Sequence, residues 1–170
     1  MSPATQAVRK TSLYETHQQK GAKLVPFAGV YLPVWFSSIQ DEHEAVRTRS
    51  GCFDISHMGL LSISGPDADS FLQQMACNDI RKSQKGKMVY SMILNSQGGI
   101  LDDVMIGGNE DELIMVVNAS NKAKIMEWLK AHQSKTVQIK DLNQEYDFIA
   151  VQGPQAVAHT AALFGSEINQ

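Results

Sequence analysis

Two adjacent carboxylates interrupt an otherwise apolar run, Ile100-Leu101-Asp102-Asp103-Val104-Met105-Ile106. The run has strand character, and aspartate is depleted in strands. Strict alternation puts Ile100, Asp102, Val104 and Ile106 on one face and Leu101, Asp103 and Met105 on the other. Each face then carries one carboxylate among apolar neighbours. A buried, unpaired carboxylate is costly, so at least one of the two needs a partner or lines a cavity. A functional carboxylate at Asp102 is one reading. An exposed edge strand, or a salt bridge to Lys87 or Arg81, is the other. A second polar cluster, Phe53-Asp54-Ile55-Ser56-His57-Met58, holds the residue types of a nucleophilic triad. Consecutive residues do not adopt triad geometry with one another. Asp54 and Ser56 are better read as turn or cap groups bonding local backbone, with Met58 packing. Tyr90, Met92 and Met105 read as core residues.

Other chemistries lack their signatures. His17, His43, His57, His132 and His159 are scattered, with no HExxH and no CxxC-linked spacing, so no metal site is expected. His43 lies between Glu42 and Glu44, but neighbours one apart on a helix do not share a face, and it reads as a surface or helix-lining residue. No GxGxxG, GxxxxGK[ST] or GxSxG occurs. Cys52 and Cys77 have no paired spacing, which disfavours a disulfide framework or structural zinc and points to a reducing compartment.

Composition narrows the class further. The chain has 170 residues, 43% hydrophobic and 19% charged, with a formal net charge of −3. That is enough to bury a core, and too neutral for bulk attraction to nucleic acid or an anionic membrane. No apolar run reaches the ~20 residues of a membrane span. Met1 to Lys10 lacks an apolar signal region and is too poor in arginine for a transit peptide. A cytosolic protein is expected, with the Asn118-Ala119-Ser120 sequon a strand end rather than a glycan site.

The positioning elements follow from periodicity and punctuation. Ser12 to Gln19 predicts a short helix closed by Gly21, and Ala22 to Pro33 predicts short extended pieces broken by Pro26, Gly29 and Pro33. Ser38 to Arg49 predicts a helix with Ile39, His43 and Val46 in register. Leu61 and Ile63 alternate with Ser62 and Ser64, a half-buried strand. Ala68, Phe71, Leu72 and Met75 mark an amphipathic helix after Gly65-Pro66. Lys87 to Leu94, Ile100 to Ile106 and Leu113 to Val117 predict strands, the first two joined by the Asn95–Gly99 turn. A further turn is expected at Gly107-Gly108-Asn109. Ser120 is a candidate cap for a helix presenting Ile125, Trp128 and Leu129. Val137 to Lys140 and Asp147 to Gln152 predict short strands. Gly153-Pro154 then repeats the strand–turn–helix theme of Gly65-Pro66, with Val157, Ala161 and Phe164 on one helix face and Gly165 as C-cap. The mixture of hairpins and helices indicates an α+β fold of antiparallel sheets with packed helices.

Six segments in this order resemble a known family. They are Leu13-Tyr14-Glu15-Thr16-His17, Gly21 through Gly29, Asp41 through Arg49, Phe53 through Gly59, Gly98-Gly99-Ile100-Leu101-Asp102-Asp103 and Val151-Gln152-Gly153-Pro154. The series is similar to the glycine cleavage system T-protein, a folate-dependent aminomethyltransferase. The resemblance implies transfer of a one-carbon unit from aminomethyl-dihydrolipoyl H-protein to tetrahydrofolate, with release of ammonia. It implies lipoylated H-protein as partner, tetrahydrofolate as co-substrate and no metal. It implies a cytoplasmic location, or the mitochondrial matrix in a eukaryote. It assigns Asp102 as the catalytic carboxylate and Met58, Tyr90, Val117 and Asn118 to the folate, and leaves Asp103 structural. It implies a truncated multi-domain fold. Residues 1–53 begin a first domain, 54–140 form a central ferredoxin-like domain, and 141–170 return to the first domain, which stays incomplete and exposes apolar surface for self-association. The alternatives implied are a folate-binding or interaction module without turnover, or a relative of the folate domains of sarcosine and dimethylglycine dehydrogenases.

Overall fold

The computed structural model describes residues 8–83, 87–108 and 112–165. In chain order the elements are β1 (Arg9–Lys10), α1 (Tyr14–Gln19), β2 (Lys23–Phe27), β3 (Val30–Trp35), α2 (Ile39–Thr48), β4 (Gly51–Asp54), β5 (Gly59–Ser64), α3 (Ala68–Met75), β6 (Val89–Leu94), β7 (Ile100–Gly108), β8 (Glu112–Val117), α4 (Lys122–His132), β9 (Gln138–Asp141), β10 (Ile149–Gln152) and α5 (Ala156–Phe164). Single 3-10 turns cover Ile80–Ser83 and Ala119–Asn121. The fold is α+β. The expected turn at Gly107-Gly108-Asn109 runs past the described residues at Asn109. Among the described residues no helix is long and apolar enough to cross a membrane. The chain divides into two compact units, Met1–His57 with Asp147–Gln170, and Met58–Tyr146.

The continuous unit is built on one antiparallel sheet in the order β6-β7-β8-β5-β9. The apolar stripes of α3 and α4 close one face. Phe71 and Leu72 from α3 and Ile125 and Leu129 from α4 join Leu61, Ile63, Ile93, Val104, Ile106, Met115 and Val117 in one core. Strand β5 departs from the expected half-buried pattern. Ser62 is 3% exposed, because β5 lies between β8 and β9 instead of at the surface, and its hydroxyl donates to the Glu112 carboxylate. Tyr90 also departs from the core reading, at 53% exposed. It lies on the face of β6 opposite Ile93.

Turn chemistry fixes this unit's register. Asn95 accepts the backbone N–H groups of Gln97 and Gly99, and Gly98 sits at φ 81°. Gly65 sits at φ 109°, where a Cβ would come within 2.0 Å of the Thr136 carbonyl oxygen. Its own carbonyl accepts the Ala68 N–H at 3.0 Å, starting α3. Gly153 repeats the device, with φ 123° and an Ala156 N–H to Gly153 carbonyl bond of 3.1 Å. The two strand–turn–helix junctions noted in the sequence therefore share one local geometry.

The discontinuous unit carries two small sheets, β1-β3-β2 and β10-β4. The extended pieces from Ala22 to Pro33 become a hairpin whose two-residue turn, Ala28-Gly29, has positive φ at both positions, as a primed turn requires. Pro33 sits beyond the reach of β1, which pairs only with Val30 and Tyr31, so its missing N–H breaks no ladder bond there. Ser38 caps α2 by accepting the Asp41 N–H at 3.1 Å. The Asp54 carboxylate is fully buried and receives His17 Nε2 at 2.9 Å, the Thr11 hydroxyl at 3.2 Å and the Ser56 N–H at 2.9 Å. Burial alone would raise its pKa. The bonds from Ser56, His17 and Thr11 outweigh that and hold it below the ordinary 3.8. The helix face expected on α5 stays open. Val157 is 58% and Phe164 75% exposed, and only Ala156 of that helix is buried. No described residue covers it.

Two substitutions check these accounts. Gly65→Ala combines strain with collision and should cost about 3 kcal/mol in urea unfolding, whereas Gly98→Ala meets open space and should cost about 1 kcal/mol. Asp54's lowered pKa contributes stability that is whole above 3.8 and lost as pH falls through the lowered value. Asp54→Asn should flatten that acid limb, measured as urea midpoint against pH. An unchanged limb would reject the assignment.

Candidate active site

Asp102 lies on interior strand β7, cross-paired with Ile93 of β6, and is 3% exposed. The neighbouring strand β8 stops two rungs short of it. The β7–β8 ladder begins at Val104↔Val117, and the chain then leaves β8 through Asn118 into the 3-10 turn. Asp102 fills the gap by accepting hydrogen bonds from that turn. Its Oδ2 accepts the Asn118 backbone N–H at 2.9 Å, and its Oδ1 accepts Asn118 Nδ2 at 2.9 Å and Asn121 Nδ2 at 2.6 Å. Both readings left open by the sequence as an edge strand or a salt bridge fail here. The strand is interior, Arg81 pairs with Asp79, and no Lys, Arg or His among the described residues forms an ion pair with Asp102. A carboxylate offers about four lone-pair sites, so three neutral donors leave one vacant.

The alternation of β7 holds from Asp102 onward but not before it. A register shift between Ile93 and Leu94 interrupts the β6–β7 ladder. Ile100, expected on the Asp102 face, is accordingly 64% exposed. Asp103 points to the opposite, exposed face. Its Oδ1 accepts Asn118 Nδ2 at 2.9 Å and its Oδ2 accepts the Tyr90 hydroxyl at 3.3 Å. Tyr90 pairs with Met105, so Asp103 is its diagonal neighbour on that face. Partial desolvation, then the Asp103 charge and hydrogen bond, raise the Tyr90 pKa above its ordinary 10.0.

The remaining candidates lie at the same sheet end. Met58 and Asn118 sit one position beyond the Gly59↔Val117 pair. Met58 is half-buried and its carbonyl accepts Asn143 Nδ2 at 2.7 Å. Lys122, next to Asn121 in the chain, gives its ammonium to Asp141 at 2.6 Å and Asn143 at 2.7 Å. Gly59 lets these strands close up, since a Cβ there would meet Val117 at 2.4 Å. The Val117 side chain is fully buried in the core. Thus Asp102, Asn118, Asp103 and Tyr90 form one hydrogen-bonded chain, Met58 lies beside Asn118, and Val117 backs them.

Sequence reasoning missed Asn121, whose signal was the Asn118-Ala-Ser-Asn121 spacing at a helix start. It also placed the cap of α4 at Ser120, whereas the N-cap is Asn121. Among the described residues no group of three or more His, Cys, Asp or Glu could hold a metal ion. Cys52 and Cys77 are both free and exposed. His57 Nδ1 is buried with no hydrogen-bond partner, its ring edge-on to Phe27 at 5.4 Å. Burial lowers its pKa against the opposing pull of Asp54.

The model of the GCVT N-terminal domain matches residues 13–170. An aminomethyltransferase of Staphylococcus epidermidis is 42% identical over 167 residues, covering 97% of this chain and 45% of the relative. One of Shouchella clausii is 44% identical over 162 residues, covering 95% and 44%. The crystal structure of glycine cleavage system aminomethyltransferase T from Bartonella henselae superposes with a TM-score of 0.82 at 35% identity, covering 91% of this chain and 43% of that one. The chain therefore spans less than half the length of the relatives it matches. By the extent of these matches, the chain belongs to the family of the GCVT N-terminal domain, the family of the glycine cleavage T-protein.

Proposed function

We propose that this chain carries the carboxylate site of a tetrahydrofolate-dependent aminomethyltransferase. The observation that carries the reading is Asp102, buried at a sheet end on three neutral N–H donors, with no cation among the described residues paired to it. In the proposed reaction the aminomethyl carbon leaves the lipoyl sulfur of H-protein, which takes up a proton. It also leaves its own nitrogen, released as ammonia, and forms two new C–N bonds to tetrahydrofolate. Carbon is neither oxidised nor reduced. The reacting amines carry or develop positive charge, and a fixed carboxylate in a nearly dry setting favours that charge far more than water does. A cation bound to Asp102 would cancel the effect, and neutral amide donors orient the group without doing so.

The flanking roles follow the same chemistry. Asn118 offers an amide, with its Oδ1 left free to accept, to the donor–acceptor edge of a pterin. The Val117 main chain adds to that edge. Met58 and the exposed Tyr90 ring flank the flat faces. Lipoylated H-protein is the partner and the cytoplasm the location, in keeping with two exposed unpaired cysteines.

The test is titration of the chain with tetrahydrofolate by ring fluorescence, followed by ammonia release with aminomethyl-loaded H-protein. Binding together with ammonia release is expected. Binding without ammonia release supports a folate-binding module instead, and absence of binding overturns both. Asp102→Asn keeps the shape and removes the charge, and should lower turnover by about 100-fold or more. Near-normal turnover in that variant would sink the catalytic assignment.

A further inference from the structure

Asn121 occupies a position whose ordinary duty it does not perform. It is the N-cap residue of α4, an 11-residue helix, and asparagine is among the best N-caps because its side-chain oxygen accepts a first-turn N–H. Here it makes no side-chain cap bond. Its amide turns away from the helix and donates to Asp102 Oδ1 at 2.6 Å, the shortest of that carboxylate's three contacts. Asn118, three residues earlier at the start of the 3-10 turn, likewise makes no side-chain cap bond and turns to Asp102 and Asp103. The two amides are not equivalent. Asn118 Nδ2 is shared among Asp102 Oδ1, the Asp103 carbonyl at 3.2 Å and Asp103 Oδ1. Asn121 Nδ2 bonds Asp102 alone. The nitrogen must face the carboxylate in each case, because an amide oxygen at these distances would repel it.

We infer that Asn121 is a positioning residue for Asp102, holding its carboxylate in one rotamer from the head of α4. This rests on the catalytic reading of Asp102. Asp102 is a short side chain with one free end, and Oδ2 is anchored by the main chain at Asn118. Oδ1 would otherwise depend on an amide divided between two aspartates. Asn121 removes that dependence. When a ligand engages Asn118, the carboxylate keeps a donor that the ligand does not contest.

The kinetics make the role separable from stability. Asn121→Ser removes the amide donor, and the helical backbone of this residue, φ −101° and ψ −9°, gives its hydroxyl no cap to make. With tetrahydrofolate and loaded H-protein, it should leave KM for tetrahydrofolate within about threefold and lower kcat about 10- to 100-fold, with a lower melting temperature because the buried carboxylate loses a donor. Asn121→Ala should show the same kcat loss. Wild-type kcat in Asn121→Ser, or a kcat loss accompanied by an equal loss of affinity for tetrahydrofolate, would overturn the assignment. A second readout does not need turnover. In the nitrogen–proton spectrum of the whole chain, the Asn121 side-chain amide should resonate away from the free-amide position and move to it in Asp102→Ala. An Asn121 signal indifferent to Asp102→Ala would overturn the contact whether or not the chain transfers aminomethyl groups. Failure of wild type to bind tetrahydrofolate would instead sink the functional reading and leave the amide result to decide the contact.

Discussion

A buried carboxylate, with no cation bonded to it among the described residues, organises the site end of this molecule. Moving such a group out of water costs several kcal/mol even after relaxation, and the cost is met at Asp102 only because three N–H donors converge on it. Each donor has a structural precondition. Strand β8 must end at Val117 so that the Asn118 N–H is free of the ladder. The turn Ala119–Asn121 must bring a second amide back over β7. Gly59 must lack a Cβ so that β5 closes on Val117. The Ile93/Leu94 register shift sets Asp102 on the core face while releasing Ile100 to solvent.

The chain solves the same problem differently at Asp54. There a histidine, a hydroxyl and a backbone N–H surround the carboxylate, and their bonds lower its pKa. Bonds to a side chain of α1 and to the Thr11 hydroxyl make that group a structural clamp. Asp102 has amides only, which orient charge and do not answer it. The two buried carboxylates thus differ in donor type, amides at Asp102 and a histidine and a hydroxyl at Asp54.

Much of this was legible in the sequence, for physical reasons that differ by element. The strands of the continuous unit and helix α3 were readable because their apolar periods are local. The Asn95–Gly99 turn and the Gly65 and Gly153 junctions were readable because positive φ restricts residue type. Asp102 stood out because an aspartate in an apolar strand demands an explanation. What stayed hidden depended on neighbours distant in sequence. Ser62 looked solvent-facing until β9 covered the second edge of β5. Val157 and Phe164 looked like a core stripe, yet no described residue covers it. His17 is tied to Asp54, 37 positions away, and no local pattern signals that. Asn121 read as part of a helix start, because cap propensity and ligation use the same residue type.

Every group in the Asp102 network comes from the continuous unit, Met58–Tyr146. Asn121, Asn118, Asp103 and Tyr90 reach Asp102 through one sheet and the turn that follows it. The placement of the charge is therefore set by strand register within 89 consecutive residues, and it needs nothing from the discontinuous unit. Enclosure is a different requirement. A carboxylate acts strongly on a developing cation only where water is excluded around both, and Tyr90 and Asp103 on the outer face are exposed. The relatives are more than twice as long as the matched region. The two requirements thus separate: the local strand pattern holds the charge, and the same pattern leaves Tyr90 and Asp103 open to water.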